Sequence, residues 1–141
     1  MYKKILVALD TTDEARPVMQ RALEMASRFD AQLALIHVVE PMLLDNSYES
    51  LPLISVDVEK ALYERARGFL AHISEEFGLR EPKILVEVGS VKTEILRQVE
   101  QQDIDLLVIG THGRHGVALL LGSTANAILH GTRCDVLAVR I

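Results

Sequence analysis

Five short hydrophobic runs, rich in Val, Ile and Leu, are spaced along the chain. They cover residues 5–9, 33–39, 84–88, 106–109 and 136–141. Each run is too short for a typical helix, and most are continuously apolar instead of alternating with polar positions. Such runs are typical of strands covered on both faces, as in a parallel sheet. The pattern therefore predicts five buried strands.

The segments between these runs carry hydrophobic residues three or four positions apart, the period of one helix face. Four such faces lie near residues 18–29, 58–73, 91–99 and 125–129. Strands that alternate with helices predict right-handed crossovers and a doubly wound parallel sheet with helices on both faces. We therefore expect an α/β fold in a single domain over residues 1–141.

Two of these helices carry end signals. Phe77 and Gly78 are predicted to end the second helix. For the last helix, Ser123 is predicted to be the N-cap and Gly131 to be the glycine that ends it.

Charge and cysteine content narrow the class of protein. The chain has 141 residues, with 15 Lys and Arg against 20 Asp and Glu, a net charge of −5. This balance argues against an electrostatic nucleic-acid binder, which would present a basic face. Cys134 is the only cysteine, so no internal disulfide can form. The first apolar run stops at Asp10, too early for a signal peptide, and no run reaches the ~18 residues of a membrane span. We expect a cytoplasmic protein.

Residues that could bind a ligand follow two of the predicted strands. In open α/β sheets, ligands bind beyond the carboxyl ends of the strands, where the strand order reverses. The first strand ends in Asp10, and the fourth leads into residues 110–116, which contain three glycines, and then into Gly122 and Ser123. Glycine lets backbone N–H groups approach an anion, and a helix start adds free N–H groups and its dipole. This predicts a phosphate site.

Asp10 has two possible roles beside that site. Its carboxylate can accept hydrogen bonds from a ribose or an adenine amino group. It can equally cap the next helix or form an Asx turn with Thr12. No metal site is predicted at His112 and His115, because no cysteine or carboxylate stands beside them at ligand spacing.

Several stretches together form a more specific pattern. They are residues 5–10 (ILVALD), 35–38 (LIHV), Gly89, 105–114 (DLLVIGTHGR), 121–123 (LGS) and 135–139 (DVLAV). With these stretches the chain resembles the universal stress protein family over its whole length. The resemblance implies a sheet in strand order 3-2-1-4-5, of the adenine nucleotide alpha hydrolase-like type. It also implies a homodimer joined through the last strand, from Val136 to Ile141.

Many members of that family bind ATP, with or without Mg²⁺, through a Gly-x2-Gly-x9-Gly-Ser/Thr motif. Transferred by position, the resemblance implies that phosphates and ribose are held by Gly110, Gly113, Gly122 and Ser123, with Thr124 in the same helix start. It implies an adenine side lined by Ala8, Asp10 and Val38, with Ile109 under the nucleoside.

The chain departs from that motif in one place. Eight residues, not nine, separate Gly113 from Gly122. Two outcomes are open: the shorter loop tightens and still binds, or the helix start turns its N–H groups by about 100°, one residue's rotation. Another branch of the family has an altered phosphate loop and does not bind ATP. The retained glycines and Ser123 favour binding.

Three functional hypotheses follow. The first is a dimeric stress-response protein that binds an adenine nucleotide as a regulatory ligand; pairing of the last strand with its copy would close the exposed sheet edge. The second is a nucleotide-free dimer that acts through protein contacts alone. The third is an α/β enzyme acting on a nucleotide, but no residue set indicates a dedicated catalytic apparatus. We expect at most slow ATP hydrolysis.

Overall fold

A computed structural model describes residues 1–41, 56–111 and 122–141. Strands and helices alternate along the described chain, as the hydrophobic pattern predicts. The strands are β1 Lys4–Ala8, β2 Gln32–Val39, β3 Lys83–Val88, β4 Leu106–Gly110 and β5 Asp135–Val139. The helices are α1 Ala15–Phe29, α2 Val56–Glu76, α3 Val91–Gln101 and α4 Ser123–Gly131.

The five strands form one parallel sheet in the order β3-β2-β1-β4-β5. This confirms the expected fold class and strand order. The register pairs Val7 of β1 with Val108 of β4, and Gly110 of β4 with Val139 of β5. The carboxyl ends of β1, β4 and β5 therefore lie side by side.

Helices cover both faces of the sheet. On one face, α1 and α2 pack against a core that includes Val7, Leu35 and Val108. On the other, α3 and α4 pack against a core that includes Leu6 and Leu107. Successive residues of a strand point to opposite faces, so a continuous apolar run fills both cores at once. Most side chains of the central strands are accordingly buried.

The end of α2 follows its sequence signal. Gly78 has a φ of 71°, a left-handed conformation that glycine adopts without steric cost. Its amide donates to the Glu75 carbonyl oxygen, and the Leu79 amide donates to that of Ser74. These bonds satisfy carbonyls that the last helical turn leaves open. The predicted stop at Phe77 and Gly78 is confirmed.

Three predicted ends shift by one or two residues. β1 ends at Ala8 and β5 ends at Val139, short of Leu9 and Ile141. Gly131 is itself the last residue of α4 and does not lie past its end. A Cβ at Gly131 would lie 2.9 Å from Leu96 Cδ1 of α3, so close packing between the two helices is what this glycine provides. Among the described residues, none of the helices is both long and apolar enough to cross a bilayer.

Candidate functional site

The candidate site lies where β1 and β4 end next to each other. β1 is followed by α1 on one face of the sheet, whereas the helix that follows β4 is α4, on the opposite face. The chain thus leaves these two neighbouring strands in opposite directions. That arrangement opens a crevice at their carboxyl ends, where ligands of doubly wound sheets bind.

Asp10 lies at this crevice and forms the Asx turn that was one of its two predicted roles. Its Oδ1 accepts hydrogen bonds from the Thr12 amide at 3.2 Å and from the Thr12 hydroxyl at 2.7 Å. Asp10 does not cap α1, because Glu14 holds the N-cap position. Both bonds use Oδ1, and among the described residues Oδ2 makes no hydrogen bond. The Asx turn therefore fixes the carboxylate and leaves one oxygen to receive a ligand.

Thr111 joins the end of β4 to the start of α4. The Gly122 amide donates to the Thr111 carbonyl oxygen at 3.2 Å, so the two residues that flank segment 112–121 are hydrogen-bonded. The Thr111 amide in turn donates to the Val139 carbonyl oxygen at 2.9 Å, which ties this point to β5. The helix start is thus held at the end of the sheet.

The N-cap of α4 is Gly122, not Ser123 as predicted. Gly122 has extended backbone angles, φ −49° and ψ 152°, and Ser123 is already the first helical residue. The first bond of the helix runs from the Asn126 amide to the Gly122 carbonyl oxygen. The amides of Ser123, Thr124 and the following Ala125 therefore have no acceptor within the helix.

These three amides are the groups of the crevice that are chemically suited to an anion. They belong to the first turn of a helix, whose dipole places partial positive charge there. Ser123 and Thr124 are exposed. The Gly122 amide already donates to the Thr111 carbonyl oxygen, so it is not a donor for a ligand. Gly122 instead leaves space in front of the helix start. Among the described residues, a Cβ at Gly122 would meet nothing closer than the Thr111 carbonyl oxygen at 3.7 Å, an ordinary contact.

The predicted adenine side has an apolar floor on the α4 face of the sheet. Val38 and Ile109 belong to the same buried cluster there, and Ala8 packs against it. Val38 is 7% exposed and Ile109 only 4%, whereas Ala8 is half-buried. Ala8 is therefore the member with most surface to offer a ligand.

Other predicted positions fall outside the described residues or away from a ligand role. Gly113, with His112 and His115, lies in the segment 112–121, which the structure does not describe. His37 Nδ1 lies 2.7 Å from the Leu9 carbonyl oxygen, so this ring nitrogen has a partner in the backbone that follows β1. Gly110 ends β4 as expected.

A second carboxylate that follows β1, that of Asp13, forms an ion pair with Arg16. The Asp13 carboxylate lies 2.7 Å from Arg16 Nη1, so Arg16 partly neutralises this second carboxylate after β1. In the described part of the chain, no group of three or more His, Cys, Asp or Glu side chains is placed to hold a metal ion. Asp10 and the first-turn amides of α4 are the polar groups at the crevice that we consider for a ligand.

Cys134 lies at the opposite end of the sheet. It lines a hollow of about 280 Å³ with Glu100, Arg133 and neighbouring residues. Burial raises the pKa of its thiol above the ordinary value, against an opposing hydrogen bond from Thr132. A raised pKa keeps the thiol protonated and unreactive at neutral pH.

Sequence reasoning missed two contributors to the site. Thr111 was part of a motif stretch, but nothing in the sequence shows that it hydrogen-bonds to both Val139 and Gly122. Ala125 was assigned to the core through its side chain, and its side chain is indeed buried. Its amide belongs to the site because Ala125 lies in the first turn of α4, where backbone N–H groups have no acceptor within the helix.

Known proteins are similar to this chain in sequence and in fold. A model of the universal stress protein family matches residues 1–140. Universal stress protein A homolog 2 of Coxiella burnetii is 46% identical over 143 residues, which cover 99% of this chain and 96% of that protein. Universal stress protein A homolog 1 of the same organism is 39% identical over 140 residues, covering 98% of this chain and 96% of that protein.

Solved structures resemble this fold over nearly the whole chain. The hypothetical protein MJ0577 superposes with a TM-score of 0.82 at 24% identity, covering 100% of this chain and 97% of that one. A universal stress protein in complex with cAMP superposes with a TM-score of 0.67 at 20% identity, covering 98% of this chain and 97% of that one. At these identities the likeness shows the fold.

Proposed function

Because this chain belongs to the universal stress protein family, we propose that it is a cytoplasmic stress-response protein that binds ATP as a regulatory ligand. The nucleotide lies across the ends of β1 and β4. Its phosphates receive hydrogen bonds from the first turn of α4, and its nucleoside lies toward Asp10, Ala8 and Val38. A structural relative in complex with cAMP supports a nucleotide as the ligand class.

The observation that carries this proposal is the hydrogen bond between Gly122 and Thr111. It holds the start of α4 at the carboxyl end of β4, although the segment between Gly113 and Gly122 is one residue short of the family motif. Three first-turn amides thereby lie next to the Asp10 crevice. A helix start withdrawn from the sheet would separate the anion site from the nucleoside site.

Glycine at position 122 gives further support. Its backbone angles are open to any residue, and its surroundings among the described residues leave room for a Cβ. Packing against the described residues therefore does not require glycine there. Close approach of a ligand does, because a side chain at the N-cap would occupy the space in front of the helix start.

Isothermal titration calorimetry with ATP, AMP and cAMP tests the proposal. We expect binding of ATP, and weaker binding by Asp10→Asn, which keeps the Oδ1 acceptor of the Asx turn but turns the free oxygen into a donor. The loss of one hydrogen bond from a charged group, about 1.5–3 kcal/mol, predicts about 10- to 150-fold weaker binding. Asp13→Asn is the matched control and should bind normally, since Asp13 faces Arg16. Absence of heat with all three nucleotides would favour the nucleotide-free alternative.

We also propose that the protein is a homodimer paired through β5. Among the described strands, β5 is bonded to β4 on one side only. The Val139 carbonyl oxygen points to β4, where it accepts from Thr111. Neighbouring residues of a strand alternate in direction, so the amides of Val136 and Ala138 point to the free edge. Val136 and Leu137 are half-buried and Ala138 is exposed, which suits a surface that a second copy covers.

Ala138→Pro tests this edge most directly. Proline removes the outward N–H and obstructs an approaching strand, but it spares the bonds to β4, and proline is tolerated on edge strands. Sedimentation analysis should show a dimer for the wild type and for Ala138→Val, and a monomer for Ala138→Pro. A proline variant that remains fully dimeric would show that the copies meet elsewhere.

A further inference from the structure

We propose that nucleotide binding at α4 and dimer pairing at β5 strengthen each other, and that Thr111 transmits this coupling. The inference rests on the proposed function and adds a mode of regulation to it. It makes the dimer the form that the nucleotide favours. By linkage, the dimer is also the form that binds nucleotide more tightly.

Thr111 connects the two regions through three different atoms. Its amide donates to the Val139 carbonyl oxygen at 2.9 Å, at the carboxyl end of β5. Its carbonyl oxygen accepts from the Gly122 amide at 3.2 Å, at the N-cap of α4. Its hydroxyl oxygen accepts from the Ile141 amide at 3.3 Å, two residues beyond β5. A single residue thus fixes both the anion end of α4 and the end of the candidate dimer strand.

The coupling is expected to be positive because both events require the same ordering. A phosphate bound by the amides after Gly122 restrains the start of α4, and Gly122 then restrains Thr111. A restrained Thr111 holds residues 139 and 141 in place, and with them the end of the edge strand. Pairing of β5 with a second copy imposes the same restraint from the other side. Whichever event comes first bears the entropy cost of ordering, and the second is strengthened.

The hydroxyl of Thr111 is the part of this connection that a mutation can remove alone. Thr111→Val keeps both backbone bonds and the branched shape, and removes the hydroxyl that accepts from the Ile141 amide. Thr111→Ser keeps the hydroxyl. Thr132→Val is the matched control, because the Thr132 hydroxyl accepts from the Cys134 amide at 3.3 Å, at the opposite end of β5.

The experiment measures the dimer dissociation constant by sedimentation with and without saturating ATP. For the wild type we expect ATP to lower this constant by about tenfold, within the usual range of coupling between sites. The effect should fall below about threefold in Thr111→Val and remain about tenfold in Thr111→Ser and Thr132→Val. Circular dichroism confirms that each variant is folded, and the wild-type measurement tests the coupling without any variant.

The outcomes separate this inference from the proposed function. If calorimetry detects ATP binding but the wild-type dimer constant does not change, the coupling is wrong and the nucleotide site stands. If ATP does not bind, the proposed function fails and the coupling fails with it. If Thr111→Val responds to ATP as the wild type does, the assignment to the Thr111 hydroxyl is wrong.

Discussion

Replacing Gly122 by serine separates helix capping from ligand binding at the start of α4. Gly122 is the N-cap, with extended backbone angles that serine adopts readily. A serine Cβ would lie 3.7 Å from the Thr111 carbonyl oxygen, so the described surroundings accept it. A serine hydroxyl at an N-cap accepts a hydrogen bond from the second or third residue of the helix, here Thr124 or Ala125. These are amides that we assign to the phosphate.

The two expected effects have opposite signs. Serine is a slightly better N-cap than glycine, so the free energy of unfolding should stay level or rise by a few tenths of a kcal/mol. Binding of ATP should weaken, because the hydroxyl competes for one amide and fills space in front of the helix. The loss of one charge-assisted hydrogen bond, about 1.5–3 kcal/mol, corresponds to about 10- to 150-fold in the dissociation constant.

Urea denaturation and ATP calorimetry on the same samples measure both effects. Gly122→Ala is the informative comparison, since alanine adds the Cβ without a hydroxyl and is a poor N-cap. We expect stability to decrease in the order Ser, Gly, Ala, and affinity for ATP to be highest for Gly. A serine variant with undiminished affinity and unchanged or higher stability would refute the assignment of the first-turn amides to the phosphate.

Two further predictions concern contacts away from the site. Gly131→Val should lower the free energy of unfolding by about 1–3 kcal/mol through overpacking against Leu96, and it should leave ATP affinity unchanged. Gly68→Val is the control, because no described atom lies within 4 Å of a Cβ at that position of α2, and it should not destabilise the protein. Equal stabilities of the two variants in urea would contradict the packing role of Gly131. The bidentate hydrogen bonds of Arg16, at 2.8 and 3.0 Å, lower the pKa of Glu76. That stabilisation is present above the ordinary glutamate pKa, about 4.3, and is lost as pH falls through the lowered folded value. Glu76→Gln should therefore reduce Tm at pH 7 but not at pH 2.5, and a Tm difference that persists in acid would show another cause.

The fold could be predicted because strands that are buried on both faces have a recognisable sequence pattern. A strand such as β4, covered by helices on both sides, has apolar residues at every position, and helical periods fill the gaps between such strands. These features predict the order of elements and the parallel sheet. The strand order itself came from the family resemblance, because apolar runs do not encode which strands are neighbours.

The candidate site was predicted less completely because hydrogen bonds between residues far apart in the chain produce no such sequence pattern. The sequence predicts Asp10 and Gly122 at one edge of the sheet, since parallel strands bring their carboxyl ends together, and the structure bonds Gly122 to Thr111 at the end of β4. The N-cap was assigned to Ser123 because serine is the commoner cap, whereas the bond from Gly122 to Thr111 sets the actual start of α4. Thr111 also accounts for the end of β5 at Val139. Its amide donates the last hydrogen bond between β4 and β5, to the Val139 carbonyl oxygen, and its hydroxyl oxygen accepts from the Ile141 amide.

The most direct test of the nucleotide site follows the backbone amides of α4 by ¹⁵N NMR during titration with ATP. We expect the resonances of Ser123, Thr124 and Ala125 to move and to saturate at the affinity that calorimetry gives, while that of Gly131 at the other end of the helix stays in place. ATP binding that leaves the three first-turn amides unmoved would contradict the account.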